Sequence, residues 1–471
     1  MNQQDVCYMS AVEMGEKIRN QELSSLEVTE HIIDRIEEIN PILNAYCTPT
    51  FELTREMARE ADEKVKDGEN LGLLHGIPTS IKDLVVTKDI RTTFGCVIYE
   101  NNVPKQDEVV VKRLKEAGIV LLGKTNTPAF GHQAVTDNEI FGKTKNPWNR
   151  ERTSGGSSGG AAAAVASGLG PLAIGSDGGG SIRIPSCFCG LYGLKPSFGR
   201  IPHYPREGIN FITLSHYGPI VRYVKDAALM LDAMKGPHEM DQYSLPEQDI
   251  NYLDVVDDKP KNLKIGYSLD LGFLKAINEE VEKAVLNAVE NFSQFGWSVE
   301  EVEINLKKPH IAFNTLVTAG LGYDLEPYLE EWKDKMTPNL VRMAQAGLSY
   351  SAKDFLHARK LRKDVYEQVA KFFEDYDILI TPTTAVFPFE LGKMFPRKIG
   401  GRSASPVSWM AFTFPFNLTW NPAASIPCGW SSENTPIGMQ IVGKKYDEKT
   451  VLQVSKAFEE VAPWQEKKPK F

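Results

Sequence analysis

The chain has 471 residues, 42% of them hydrophobic, and its 53 Lys and Arg residues against 62 Asp and Glu residues give a net charge of −9. This apolar content supplies a substantial buried core and argues against disorder over most of the chain. Because affinity for nucleic acid depends on clustered basic residues, the acidic balance also argues against a nucleic-acid partner.

The start of the chain and its cysteines bear on the compartment. Residues 1–18 carry charges of both signs and lack the basic start and apolar core of a secretory signal. No uninterrupted apolar run reaches the roughly 20 residues that a membrane-spanning helix needs. We therefore expect a cytoplasmic protein without a membrane partner. The six cysteines are scattered, and Cys187 and Cys189 lack the spacing of a zinc site, so we expect reduced thiols and no metal or other cofactor.

The order of predicted elements indicates the fold class. Ser10 and Ser24, each followed three residues later by Glu, predict two helices, and the second is expected to end at Asn40 and Pro41. Further helices are predicted at residues 51–66 and 107–117, and strands near 43–47, 76–86, 119–122, 171–174, 263–267, 378–382, 424–427 and 439–442. This alternation predicts an α/β layered fold with a largely buried sheet.

Glycine is concentrated in one segment, since 13 of the 37 glycines fall within residues 155–199. A flexible linker is one interpretation, but both glycine clusters abut apolar segments, and Asp177 is the only charged residue from 153 to 181. A phosphate cradle is another, but neither the P-loop nor the Rossmann spacing is present. A third use is an oxyanion hole, in which the backbone N–H groups of residues 178–181 hold a carbonyl oxygen and Ser181 is the nucleophile.

A serine nucleophile needs a base. None of the eight histidines lies in a recognisable hydrolase context, and the G-x-S-x-G motif is missing around Ser181. A buried lysine can serve instead, because desolvation disfavours its charged form. Lys82 interrupts an otherwise apolar strand and is the natural candidate, although periodicity alone favours an edge or solvent-facing position for it.

Several motifs occur together along the chain: GIPTSIKD at 76–83, GKTNTP at 123–128, GGSSGG at 155–160, DGGGSIRIP at 177–185, CGLYGLKP at 189–196, NLTWNPAA at 417–424 and PIGMQ at 436–440. This set resembles the signature of the amidase signature family. The resemblance covers nearly the whole chain and is weakest at residues 235–373. It implies the fold of that family, a central mixed β-sheet covered by helices on both faces.

The resemblance also implies a Ser-cisSer-Lys catalytic set. Ser181 would be the nucleophile, Ser157 the bridging serine on a cis peptide, and Lys82 the base. The oxyanion hole would comprise Gly178, Gly179, Gly180 and Ser181. Family members contact the substrate amide through the backbone at the position of Gly131, and we expect its neighbours His132 and Gln133 to line the pocket. Asp177 and Arg183 match supporting positions, and we expect them to pair with each other.

Among family members, a stand-alone amidase fits best. The glutamine-hydrolysing subunit of a tRNA-dependent amidotransferase typically carries Leu-Asp-Gln-x-Gly-Pro, whose Asp could hold the glutamine α-amino group, whereas residues 214–219 here read Leu-Ser-His-Tyr-Gly-Pro. That role stays an alternative, as does a catalytically silent binding subunit. We expect a small amide, ester or carbamate substrate and leave a homodimer open. Aromatic residues near the motifs either line the pocket or pack in the core, with core packing favoured: Phe130, Phe412, Phe414 and Trp420.

We expect residues 1–471 to form one amidase domain. Its predicted parts are N-terminal helices at 8–40, a catalytic core at about 70–235, a surface connection at 235–261 and a C-terminal half at 262–471. Within the C-terminal half, the polar helical region at about 310–373 is predicted to be an insertion or cover, and the sequence does not indicate its function.

Overall fold

The computed structural model describes residues 3–205, 208 and 211–471. Its helices are α1 (Gln3–Tyr8), α2 (Ala11–Arg19), α3 (Ser25–Leu43), α4 (Phe51–Lys66), α5 (Val109–Glu116), α6 (Gly159–Ala166), α7 (Arg183–Cys189), α8 (Val224–Met234), α9 (Tyr252–Val255), α10 (Glu279–Glu290), α11 (Pro309–Trp332), α12 (Pro338–Leu348), α13 (Ala352–Asp375), α14 (Pro415–Leu418) and α15 (Glu448–Val461). Its strands are β1 (Tyr46–Pro49), β2 (Pro78–Lys82), β3 (Val120–Thr125), β4 (Leu172–Asp177), β5 (Tyr192–Lys195), β6 (His216–Val221), β7 (Lys264–Tyr267), β8 (Ser298–Glu301), β9 (Ile378–Pro382), β10 (Lys398–Ile399), β11 (Arg402–Ser403), β12 (Ala423–Trp430) and β13 (Pro436–Gly443).

The described strands form an 11-stranded mixed sheet in the order β1-β3-β2-β4-β6-β5-β12-β13-β9-β7-β8, and β10 pairs with β11 separately. The β2 strand is parallel to both of its neighbours, β3 and β4, and β7 is parallel to β8 and β9. The remaining neighbours in the sheet are antiparallel. The predicted α/β fold with a central mixed sheet flanked by helices is therefore confirmed.

Alternate residues of one strand show that both faces of the sheet are covered. In β9, Ile378 and Ile380 pack into the core that also contains apolar residues of α10 and α15. The intervening Leu379 packs into a second core with residues of α7 and α13. Because successive strand residues point to opposite faces, the helices bury this region of the sheet from both sides.

Helix α6 lies inside the molecule, and every one of its residues is buried. Ala161, Ala162 and Ala166 pack with Ala173 of β4 and Ile220 of β6. A helix that is apolar around its whole circumference needs burial on all sides. This position brings the residues just before α6 next to the turn after β4, where the Ser158 N–H donates to the Ser181 carbonyl at 3.2 Å.

The parallel pairing of β2 and β4 brings two predicted motifs together. Ile81 lies opposite Ile174, and the two strands end at the same edge of the sheet. Lys82 is the last residue of β2, and Asp177 is the last residue of β4. The lysine strand and the second glycine cluster therefore meet at this edge.

The end of α3 differs from the prediction. The helix continues through Pro41 to Leu43, and Asn44, with φ +57°, ends it. The Asn40 side chain accepts the N–H of Ala45 at 2.9 Å, which stabilises the chain where it leaves the helix. Pro41 has no N–H group to donate, so the helix loses one hydrogen bond there but continues to Leu43. The predicted end at Asn40 and Pro41 is therefore too early.

Two strands near the centre of the sheet, β5 and β6, escaped prediction. The β6 strand lies between β4 and β5 and contains Gly218 and Pro219, with Pro219 opposite Ile174. Gly and Pro are depleted in central strands, so the local pattern there reads as a turn. Only the neighbouring strands on both sides define this segment as part of the sheet.

The segments that the sequence left without a function are mostly helical or irregular. Residues 235–261 are irregular apart from the short α9, and the polar region predicted at 310–373 consists of α11, α12 and α13. No helix within the described residues combines the length and the apolar character of a bilayer-spanning segment.

Candidate active site

Lys82 is fully buried at the end of β2, so the solvent-facing position favoured by periodicity is wrong. Its Nζ lies 2.7 Å from the Oγ of Ser157, 3.0 Å from the Oγ of Ser176 and 3.3 Å from the Ser176 carbonyl oxygen. Burial lowers the pKa of Lys82 well below its ordinary value, and the Asp177 charge opposes this shift only partly. A lowered pKa increases the share of the neutral amine, which is the form that can accept a proton.

Ser157 lies between Lys82 and the cavity. The peptide bond between Gly156 and Ser157 is cis, as the resemblance implies. A Cβ atom at Gly156 would lie 2.7 Å from the backbone of Val135, so this position has room for glycine alone. The tight packing of the turn holds the Ser157 hydroxyl against the Lys82 amine.

Ser181 ends the turn of residues 178–181 that follows β4. It is partly exposed, and its Oγ has no hydrogen-bond partner among the described residues. The backbone N–H groups of Gly178, Gly179 and Ser181 also have no partner there, but the Gly180 N–H donates to Asp177 Oδ1 at 2.7 Å. Gly180 is therefore withdrawn from the predicted oxyanion donors, because its N–H is already bound to a carboxylate.

Asp177 and Arg183 form a fully buried ion pair, as the sequence predicts. Arg183 Nε and Nη2 donate to the two carboxylate oxygens at 2.9 and 2.8 Å. The remaining Arg183 donors reach the Thr413 carbonyl, the Gln440 side chain and the Asn417 side chain at 2.8, 2.7 and 2.6 Å. Burial alone raises the pKa of Asp177, but the charge and hydrogen bonds of Arg183 outweigh burial and hold that pKa below its ordinary range.

A cavity of about 270 Å³ opens beside the two serines. Of the predicted site residues, Gly131, Ser157, Gly178 and Ser181 line it. Gly131 has φ +67°, and a Cβ atom there would lie 3.1 Å from Ser157 Oγ, so glycine keeps the space in front of this hydroxyl open.

The other two predicted substrate-binding residues, His132 and Gln133, are not among the described residues that line the cavity. The ring of His132 is buried, with its Nδ1 2.8 Å from the Ala129 carbonyl oxygen, and burial lowers its pKa to about 4. The Gln133 side chain donates to the Asp137 carbonyl. The one-turn 3₁₀ segment Ala129–Gly131 brings the Gly131 backbone to the cavity, whereas the next two side chains bond to their own loop.

Most of the cavity wall was not predicted from the sequence. Its apolar and aromatic part comprises Leu84, Val86, Phe94, Tyr99, Phe130, Phe211, Tyr217, Leu321, Leu325 and Tyr328, and its polar part includes Glu108, His203, Ser215 and Asp324. The sequence favours core packing for Phe130, Phe412 and Phe414. Phe130 instead lines the cavity, whereas Phe412 and Phe414 are fully buried in the core. Four wall residues belong to α11, whose local sequence gave no sign of facing a site.

The described part of the chain contains no group of three or more His, Cys, Asp or Glu side chains that could hold a metal ion. Cys187 and Cys189 are buried, and their sulfur atoms contact Thr384 and the Ser154 carbonyl. The polar groups at the cavity are its serines, the adjoining lysine, the backbone N–H groups of the glycine turn and the side chains of Glu108, His203 and Asp324.

This chain is similar to proteins of the amidase family over nearly its whole length. The Amidase family model matches residues 27–452. The chain is 37% identical to an acylamidase of Rhodococcus erythropolis over 474 residues, which covers 100% of this chain and 98% of that protein. It is 36% identical to the A-type subunit of the glutamyl-tRNA(Gln) amidotransferase of Carboxydothermus hydrogenoformans, with 99% of this chain and 100% of that protein covered.

A solved structure of a bacterial aryl acylamidase of the amidase signature family matches with a TM-score of 0.91 and 29% identity, covering 98% of this chain and 97% of that one. The chain therefore belongs to the amidase family. It is an amide-hydrolysing enzyme.

The Asp177→Ala substitution tests the buried ion pair. It leaves the Arg183 charge buried without a carboxylate, so we expect the free energy of unfolding to fall by about 3–5 kcal/mol, measured by urea denaturation. Asp364→Ala is the matched control, because Asp364 pairs with Lys360 on the surface and the expected loss is below about 1 kcal/mol. Equal losses in the two variants would contradict the structural role of the pair.

Proposed function

We propose that the protein hydrolyses the C–N bond of a small carboxylic acid amide through an acyl-enzyme on Ser181. One observation carries this proposal: the buried Lys82 amine lies 2.7 Å from Ser157 Oγ, beside a cavity that Ser181 also lines. A nucleophile, a proton relay and a base of lowered pKa are the groups that acyl transfer requires.

In the acylation step, neutral Lys82 takes the proton of Ser157 while Ser157 takes the proton of Ser181. The Ser181 oxygen attacks the substrate carbonyl carbon, and the C–O bond forms as the carbonyl oxygen becomes an oxyanion. The free N–H groups of Gly178, Gly179 and Ser181 are the donors for this oxyanion. None of these N–H groups has another hydrogen-bond partner among the described residues, which supports this role.

The amide bond breaks when the leaving nitrogen receives a proton from Ser157, which Lys82 in turn reprotonates. Water then attacks the acyl-enzyme, with the same pair accepting its proton, and the acid leaves as Ser181 recovers its hydrogen. The acyl-enzyme does not depend on the identity of the first leaving group, so cleavage of esters and carbamates belongs to the proposal.

The aromatic cavity wall favours an uncharged aryl or acyl amide. Phe94, Phe130 and Tyr99 contact one another with ring centroids 5.1 to 6.4 Å apart, and α11 adds Leu321 and Leu325 from the other side. Apolar walls with a few polar groups bind apolar ligands by removing their surface from water. The names of the acylamidase and aryl acylamidase relatives agree with this substrate class.

Glutamine hydrolysis for a tRNA-dependent amidotransferase is the second candidate, supported by the 36% identity to one component of such an enzyme. The Asp of its typical motif corresponds to Ser215, which lines the cavity. A serine hydroxyl lacks the charge-assisted contact that a carboxylate makes with an α-ammonium group, so this candidate has less support.

A fluorophosphonate probe tests the nucleophile, because an activated serine oxygen displaces its fluoride and forms an O–P bond. We expect the unaltered protein to be labelled and Ser181→Ala to lose the label, as read by intact-protein mass spectrometry. Ser186→Ala should label normally, since Ser186 is buried and its Oγ has no partner in the described structure. Persistent labelling of Ser181→Ala would overturn the assignment, and an unlabelled native protein would favour the silent binding subunit.

The pH dependence of kcat/KM tests Lys82. The neutral amine is the active form, so kcat/KM should rise about tenfold per pH unit below the Lys82 pKa and become constant above it. Because burial lowers that pKa, the plateau should begin well below the pH of about 10.4 at which an exposed lysine titrates. Lys82→Ala should lose about 10²- to 10⁴-fold in kcat/KM, whereas Lys88→Ala, at an exposed lysine, should not. Unchanged turnover in Lys82→Ala would remove it from the mechanism.

A substrate panel tests the substrate class. Anilides, aliphatic amides, aryl esters, carbamates and glutamine are compared by kcat/KM under one set of conditions. We expect an uncharged aryl amide or ester to exceed glutamine by at least about 100-fold, because the zwitterion loses solvation against the aromatic and aliphatic part of the wall and Ser215 offers no carboxylate to its α-ammonium group. A preference for glutamine would establish the amidotransferase role instead, and strict amide selectivity would count against ester and carbamate cleavage.

A further inference from the structure

A second cavity, of about 570 Å³, adjoins the catalytic one. Residues of α11 and α13 line it, together with residues 211–214 and Trp420. Phe211 lines both cavities, so its side chain belongs to the wall that they share. The proposed hydrolysis does not use this second space.

Basic side chains distinguish the second cavity. Arg359, Arg362 and Lys363 reach it from α13, Lys445 reaches it from the loop after β13, and none of the described residues that line it is acidic. Lys363 pairs with Glu367 at the surface. The other three have no ion-pair partner within the described residues.

Arg362 shows that this positive charge is not compensated. The guanidinium donates to Thr213 Oγ1 at 2.6 Å, to the Thr213 carbonyl at 3.0 Å and to the Leu418 carbonyl at 2.8 Å, which are all uncharged acceptors. The pKa of Arg362 is lowered to about 10, mainly because the side chain is buried and also because of the like charge of Arg359. A partly buried cation beside other cations is stabilised when an anion binds next to it.

Aromatic and apolar groups form the rest of the wall. Two cations lie over the indole ring of Trp420. The Arg362 guanidinium carbon is 4.9 Å from the ring centroid, and the Lys445 Nζ is 5.0 Å from it. Apolar surface is added by Tyr243, Leu316, Ala319, Phe355, Tyr366 and Leu418. The cavity thus combines an apolar body with one cationic region, and its volume suits a small organic molecule.

We propose that this second cavity binds a small carboxylate that carries an aromatic or alkyl group. Arg359, the accessible donors of Arg362 and Lys445 would hold the carboxylate, because guanidinium and ammonium groups form charge-assisted hydrogen bonds with carboxylate oxygens. The aromatic wall would remove the apolar group from water. This ligand site goes beyond the proposed hydrolysis and does not depend on Ser181 chemistry.

Binding of 3-phenylpropanoate to the full-length protein tests this site by isothermal titration calorimetry. We expect saturable binding, with 3-phenylpropan-1-ol and inorganic phosphate each at least about tenfold weaker, because each lacks one of the two recognised groups. Arg359→Gln and Lys445→Gln should each weaken binding about 5- to 10-fold. Lys360→Gln is the matched control on the same helix, since Lys360 pairs with Asp364 and does not line the cavity.

The position of the ligand separates this site from the catalytic cavity. A crystal structure of the 3-phenylpropanoate complex should place the carboxylate next to Arg359 and Lys445, and Ser181→Ala should bind the acid as tightly as the native protein does. Thermal unfolding of each variant verifies that it is folded. Ligand found only in the catalytic cavity, equal affinity for the alcohol, or unchanged affinity in both charge variants would overturn the proposal.

Discussion

The buried ion pair of Asp177 and Arg183 is the contact on which the rest of the site depends. Two charges removed from water are tolerated only when nearly all of their hydrogen-bonding groups are satisfied, and here Asn417, Gln440 and the Thr413 carbonyl complete the shell of Arg183. The carboxylate in turn accepts the N–H groups of Gly180 and Ile182. The pair therefore fixes the conformation of the glycine turn, and with it the direction of the N–H groups that are proposed to hold a substrate oxygen.

The same pair sets the electrostatics around Lys82. Asp177 is the acidic group that raises the Lys82 pKa, but its charge is already paired with Arg183, and desolvation dominates, so the Lys82 pKa is lowered. A lysine with its own carboxylate would stay protonated and could not accept a proton. The nearest polar partners of Lys82 are instead hydroxyl and carbonyl groups, those of Ser157 and Ser176.

The polar helical region that the sequence left unexplained supplies walls to two cavities. Helix α11 contributes Leu321, Leu325 and Tyr328 to the catalytic cavity and Leu316 and Ala319 to the cationic one. A core of strands and glycine turns thus carries Lys82, Ser157 and Ser181, the proposed reacting groups, while the helical region adds wall to both cavities.

The sequence by itself determined the fold class and most strands of the main sheet, because periodic burial is encoded locally. Its motifs implied the roles of Lys82, Ser157 and Ser181 through their resemblance to the amidase signature family. Tertiary structure alone decided that Lys82 is buried, that Gly180 gives its N–H to Asp177, and that His132 and Gln133 lie off the cavity. It also joined Arg183 to Gln440, 257 residues apart, and built the cavity walls from distant segments. Such contacts depend on how whole layers pack, and no local pattern encodes which side chains then face each other.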